Sequence, residues 1–143
     1  MVLVAKDILE KEFLSMPEDT SLFQAAQQMK SARHGFVIVT DNTRKPVGIV
    51  TEWDVVSKVV AEGVDPRRVK LQELMTKDLV TVDPSIGIDK LSRFMATKGI
   101  RRVLVVRDGA LLGVVTARSV LATLEDYVDN ISSQIARLHT SPR

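Results

Sequence analysis

The 143-residue chain contains no cysteine. That excludes disulfide bracing and thiol chemistry, and it fits a cytoplasmic setting. Histidine occurs only at His34 and His139, neither with a second ligand at metal-binding spacing, so no metal site or other cofactor is expected. Aromatic residues make up 4%, too few for the stacking platforms that hold single-stranded nucleic acid. No apolar run approaches the roughly 18 residues a membrane-spanning helix needs. The opening Met1 to Asp7 lacks the long apolar region of a signal peptide. Charge of one sign is missing too: 20 basic residues against 18 acidic ones leave a net +2. The basic clusters are small, Arg67-Arg68 with Lys70 and Arg101-Arg102, so nucleic acid is a poor candidate partner. Two isolated histidines support no Ser-His-acid arrangement, and neither a Walker loop nor a dinucleotide fingerprint occurs. The chain does not read as an enzyme.

What is present is repetition. Val47 to Asp54 (Val-Gly-Ile-Val-Thr-Glu-Trp-Asp) returns 65 positions later as Leu112 to Ser119 (Leu-Gly-Val-Val-Thr-Ala-Arg-Ser). Leu22 to Val39 returns 66 positions later as Ile88 to Val105, and Lys6 to Leu9 as Gln72 to Met75. The offset falls by one because the turn at Arg107 to Ala110 is one residue shorter than its counterpart. Such a duplication implies two similar halves about an approximate twofold axis, with related sites in any cleft between them. Each half is too small to bury much core alone, so the two are expected to share one.

Each half reads as strand, helix, strand, turn, strand, helix. Leu22, Ala25, Ala26 and Met29, and Ile88, Leu91, Phe94 and Met95, fall at helical spacing after the cap-type residues Asp19-Thr20 and Ser85. The runs 36–39, 47–50, 103–106 and 112–115 are continuously apolar, which predicts strands covered on both faces. Second helices are expected over 52–62, stopped at Gly63, and from Ala117 onward. The resulting α/β organisation is a first repeat over residues 4–62, a linker over 63–70, a second repeat over 71–124 and a helical extension and tail over 125–143. In the extension, Leu121, Leu124, Val128, Ile131, Ile135 and Leu138 are spaced 3, 4, 3, 4, 3. That stripe suits either packing on its own chain or contact with a second copy.

The chemistry is expected where each hairpin strand runs into a threonine that opens a helix. Thr51 and Thr116 can cap those helices, whose free amides favour an anion. Gly48 and Gly113 would let a ligand lie against the backbone. Asp54, one turn beyond Thr51, has the geometry to hold the vicinal hydroxyls of a ribose. Thr51 to Asp54 also resembles a capping box, which needs no ligand. In the second repeat Ser119 stands where Asp54 stands in the first. Trp53 fits core or a subunit contact.

The pattern Gly-hydrophobic-x-Thr-x-x-Asp at 48–54 resembles the signature of CBS domains, here as a tandem pair over about residues 4–122. The stretches 74–84 and 99–106 also match that family. The resemblance implies two intertwined repeats with adenosine ligands in the clefts between them: AMP, ADP, ATP or S-adenosylmethionine. It assigns ribose to Asp54 and phosphate to Thr51. Residues 13–16, with Leu14 and Ser15, and 79–82, with Val80, would frame the base, and Val37 completes that set. Arg101 matches a position that meets phosphate, and His34 lies beside its counterpart in the first repeat. Arg118 is a further phosphate candidate. With Ser119 in place of the acid, the Thr116 corner is expected to be weaker, empty or otherwise used. The functional expectation is a dimeric nucleotide-sensing regulatory module acting on another protein, with a scaffold bearing vestigial clefts as the alternative.

Overall fold

Residues 3–140 are described by the computed structural model. Two three-stranded sheets carry the fold. In the first, β1 (Leu14–Pro17) lies parallel to β2 (Phe36–Thr40), which pairs antiparallel with β3 (Pro46–Thr51). The second repeats this with β4 (Thr81–Val82), β5 (Arg102–Arg107) and β6 (Ala110–Thr116). Both hairpins carry a register irregularity at the equivalent place, Val39/Thr40 and Val105/Val106. Helices α1 (Leu22–Ala32) and α4 (Ile88–Lys98) bury Leu22, Ala25 and Met29, and Leu91 and Met95, against their sheets.

The helix starts differ from expectation. The Ser21 hydroxyl, not Asp19 or Thr20, caps α1 by accepting from the Gln24 amide at 3.2 Å. Gly87 is the N-cap of α4 rather than part of it. Ser85 instead belongs to a turn held by Asp83, whose carboxylate accepts from the Ser85 amide at 2.9 Å and hydroxyl at 2.6 Å. The second helix of the first repeat is α-helical only over α2 (Glu52–Val55) and widens into a π-helical turn at Val56–Val60. There the Ser57 hydroxyl donates to the Trp53 carbonyl at 2.7 Å, and the Ala61 amide reaches back five residues to Val56. Gly63 ends this stretch at φ +66°.

Strand parity sorts the apolar residues. Val37, Val39 and Val50 face a core with α1, while Phe36, Ile38 and Ile49 face the other repeat, meeting Leu104 and Val114. This central layer joins equivalent positions of the two halves, Ile38 with Leu104 and Ile49 with Val114.

The halves are also exchanged at their leading segments. Residues 4–10 dock on the second repeat: Ala5, Ile8 and Leu9 join its core, and Glu10 and Val114 exchange main-chain hydrogen bonds at 2.8 and 3.0 Å. The leading segment of the second repeat does the reverse. Leu71 and Leu74, on α3 (Leu71–Leu74), fill the first core, and Thr76 and Ile49 exchange bonds at 2.9 and 3.0 Å. In the linker the Arg67 guanidinium lies 4.4 Å from the Phe23 ring centroid.

Helix α5 (Ala117–Thr140) runs on past its counterpart. From Leu124 to Leu138 every residue is exposed, including Tyr127, Val128, Ile131 and Ile135. The stripe therefore does not pack on its own chain. Residues 141–143 of the expected tail lie outside the described residues. Trp53 is 71% exposed, so its reading as core is corrected.

Candidate nucleotide cleft between the repeats

Helices α2 and α5 both open at a threonine, but the two corners are built differently. At the first, Asp54 closes a capping box. Its Oδ2 accepts from the Thr51 amide at 2.8 Å and the Thr51 hydroxyl at 3.1 Å, while the Thr51 Oγ1 accepts from the Asp54 amide at 3.3 Å. Its Oδ1 pairs with Lys58 Nζ at 3.1 Å, and the residue is only 7% exposed. Both carboxylate oxygens thus have partners within the helix start. At the second corner Ser119 takes over the capping, its hydroxyl accepting from the Thr116 amide at 2.9 Å. It brings no charge.

Between the corners lie two cavities. One, of about 190 Å³, is lined by Thr51, Val80, Leu79 and Asp78, together with Ile100, Arg101 and Arg102. The other, of about 550 Å³, is lined by Thr116, Ala117, Arg118, His34, Phe36 and Glu10, together with Arg33, Arg101 and Arg102. Small-molecule sites usually occupy about 300–1,000 Å³, which the second cavity meets and the first does not. The roomier space therefore lies beside Thr116, the reverse of the expected ranking.

The structure brings Thr116, Arg118, His34 and Arg101 together around the larger cavity, and Thr51, Val80 and Arg101 around the smaller. Arg101 borders both. Val37 is corrected: it is fully buried in the first core, and Phe36, one residue earlier and on the opposite face, reaches the cleft. Leu14 packs on that same core, and Ser15 is exposed on β1 away from either cavity. Gly48 is needed for packing rather than for a ligand, since a Cβ there would lie 2.4 Å from Met75 Sδ. Gly113 likewise faces the Glu10 carbonyl, at 2.8 Å from a Cβ.

The Arg102 guanidinium of the second repeat lies 4.9 Å from the Phe36 ring centroid of the first. Burial, and to a lesser extent Arg101, lowers its pKa from arginine's ordinary value, while Glu52 and Glu10 oppose that shift. Glu10 was not among the expected site residues. Its Oε1 accepts from the Thr116 hydroxyl at 3.1 Å, a contact between residues 106 apart in sequence. Among the described residues no cluster of His, Cys, Asp and Glu is arranged to hold a metal ion, and no helix is long and apolar enough to cross a membrane.

The CBS domain family model matches residues 5–61 and 71–126, so the chain belongs to the CBS domain family as a tandem pair. It is 31% identical over 127 residues to an uncharacterised protein of Methanopyrus kandleri, covering 83% of this chain and 64% of that one. It spans 25% and 24% of two further curated relatives, and so well under their full lengths. Among solved structures, a hexameric CBS-CP12 protein from bloom-forming cyanobacteria is 33% identical with a TM-score of 0.75, over 84% of this chain and 70% of that one. A CBS domain pair in complex with 5′-methylthioadenosine and S-adenosyl-L-methionine is 25% identical with a TM-score of 0.78, over 89% of this chain and 99% of that one.

Proposed function

We propose that the chain is a non-catalytic regulatory module that binds an adenosine nucleotide between its repeats and passes the resulting change of shape to a partner protein. The observation that carries this reading is the larger cavity, where Thr116 at the head of α5 meets His34, Arg101 and Arg118 from both repeats. The arginines at that cavity suit a phosphate. The likeness to a CBS pair holding 5′-methylthioadenosine and S-adenosyl-L-methionine supports an adenosine ligand. AMP, ADP, ATP and S-adenosylmethionine are the candidates. A ligand touching both repeats favours the arrangement it fits best, and linkage makes that preference readable elsewhere on the molecule.

The test is thermal unfolding with each of the four compounds. At about 100 times its Kd a specific ligand adds about 2.7 kcal/mol and raises Tm by several degrees. No shift with any of them at millimolar concentration removes the proposal. The engagement of both Asp54 oxygens favours one alternative, a scaffold whose first nucleotide corner is vestigial. That reading predicts an assembly indifferent to all four. In either reading we assign the exposed stripe of α5 to pairing with a second copy, because its 3, 4 spacing is self-complementary.

A further inference from the structure

The two corners divide their acidic groups in a way the duplication does not foreshadow. At Thr51 the carboxylate comes from the same helix and is consumed by the helix start and Lys58. At Thr116 the equivalent helix offers only Ser119, yet a carboxylate is present, delivered through space by the exchanged leading segment. The main-chain bonds of Glu10 to Val114 fix its position, and its side chain accepts the Thr116 hydroxyl at 3.1 Å on the wall of the larger cavity. Thr76 occupies the same place beside Ile49 in the first repeat and carries no charge.

Four guanidinium groups, from Arg33, Arg101, Arg102 and Arg118, border the same cavity. Among the described residues none of them forms an ion pair within 4.0 Å, although Arg102 feels the charges of Glu52 and Glu10. The cavity thus offers one carboxylate anchored on a threonine hydroxyl and several cations left for an incoming anion. A vicinal diol can donate both hydroxyls to a carboxylate, and a phosphate on the same molecule satisfies guanidinium groups.

We propose that Glu10 is the ribose-recognising acid of the Thr116 corner, standing in for the acid that Ser119 lacks, so that the larger cavity takes a ribonucleotide with its diol on Glu10 and its phosphate toward the arginines. This rests on the proposed function and names the group that sets its specificity. Asp54 keeps a structural role.

Calorimetric titration of AMP and ATP, each beside its 2′,3′-dideoxy counterpart, tests the assignment on the wild-type chain and Glu10→Gln. The wild type should prefer the diol-bearing compound by about ten- to a hundredfold, the range of hydrogen bonds to a charged group. Glu10→Gln should erase that preference, whatever it does to the absolute affinities of the two compounds. The readout is a ratio within each protein, so partial loss of folded material does not imitate it. A preference that survives in Glu10→Gln overturns the assignment and leaves the proposed function standing. Binding of neither AMP nor ATP by the wild type removes this assignment, while a response to S-adenosylmethionine would still sustain the proposed function.

Discussion

Gly48 and Gly113 stand at equivalent places but face different obstacles. A Cβ at Gly48 meets the flexible Met75 side chain, whereas one at Gly113 meets the Glu10 main-chain carbonyl. Gly113→Ala should therefore cost more than Gly48→Ala, within the range of about 1–3 kcal/mol typical of overpacking. Met75→Ala should recover part of the loss only for Gly48→Ala. Urea midpoints of the four variants check this. Asp54→Ala should cost about 1 kcal/mol or more through its lost cap. Hydrogen bonds from the Thr43 side chain, the Lys45 amide and the Thr43 amide hold the Asp41 carboxyl below its ordinary value of 3.8. A depressed carboxyl contributes fully above the unfolded value and loses its contribution as pH falls through the folded one. The stability gap between wild type and Asp41→Ala should be constant near neutrality and shrink below about pH 4, as followed by denaturant unfolding across pH. The capping box at Thr51 to Asp54 was legible in the sequence because its partners are three residues apart. The Glu10 to Thr116 contact was not, since its partners are separated by most of the chain.

At the scale of elements, the apolar runs flanking each turn predicted the two hairpins, β2 with β3 and β5 with β6, but not the parallel pairing of the strand that joins each. They could not predict which residues of the hairpin strands face the cleft. A strand covered on both faces shows no alternation, so Val37 and Phe36 look alike until the partners are known. The π-helical turn at Val56–Val60 escaped for a related reason: its apolar spacing still suits an α-helix. The stripe on α5 was legible as a period and ambiguous as to partner, and its exposure now points outward. By the 1.5 Å helical rise, the part beyond Leu124 projects about 24 Å. Ile131→Glu with Ile135→Glu should dissociate the proposed pair and leave the melting of the globular part nearly unchanged, as measured by light scattering and circular dichroism. Oligomers persisting in that double variant would move the contact elsewhere, with Trp53, Val56 and Val60 the next exposed apolar group.

For the whole molecule, the central layer joining the repeats would make ligand binding in the proposed cleft and the relative placement of the repeats one equilibrium. If the proposed function holds, Arg101→Ala should weaken nucleotide binding at the Thr116 corner, because Arg101 borders the larger cavity. A loss of about tenfold is the scale for one charged hydrogen bond, readable as a smaller ligand-induced rise in Tm. The exchanged leading segments carry a separate consequence. Each repeat holds a piece belonging to the other, so the peptide link between them is not what keeps them together. A protease nick at exposed Gly63 should leave a clasped pair of fragments that co-elute and melt as one body, parting only when denaturant releases both hooks.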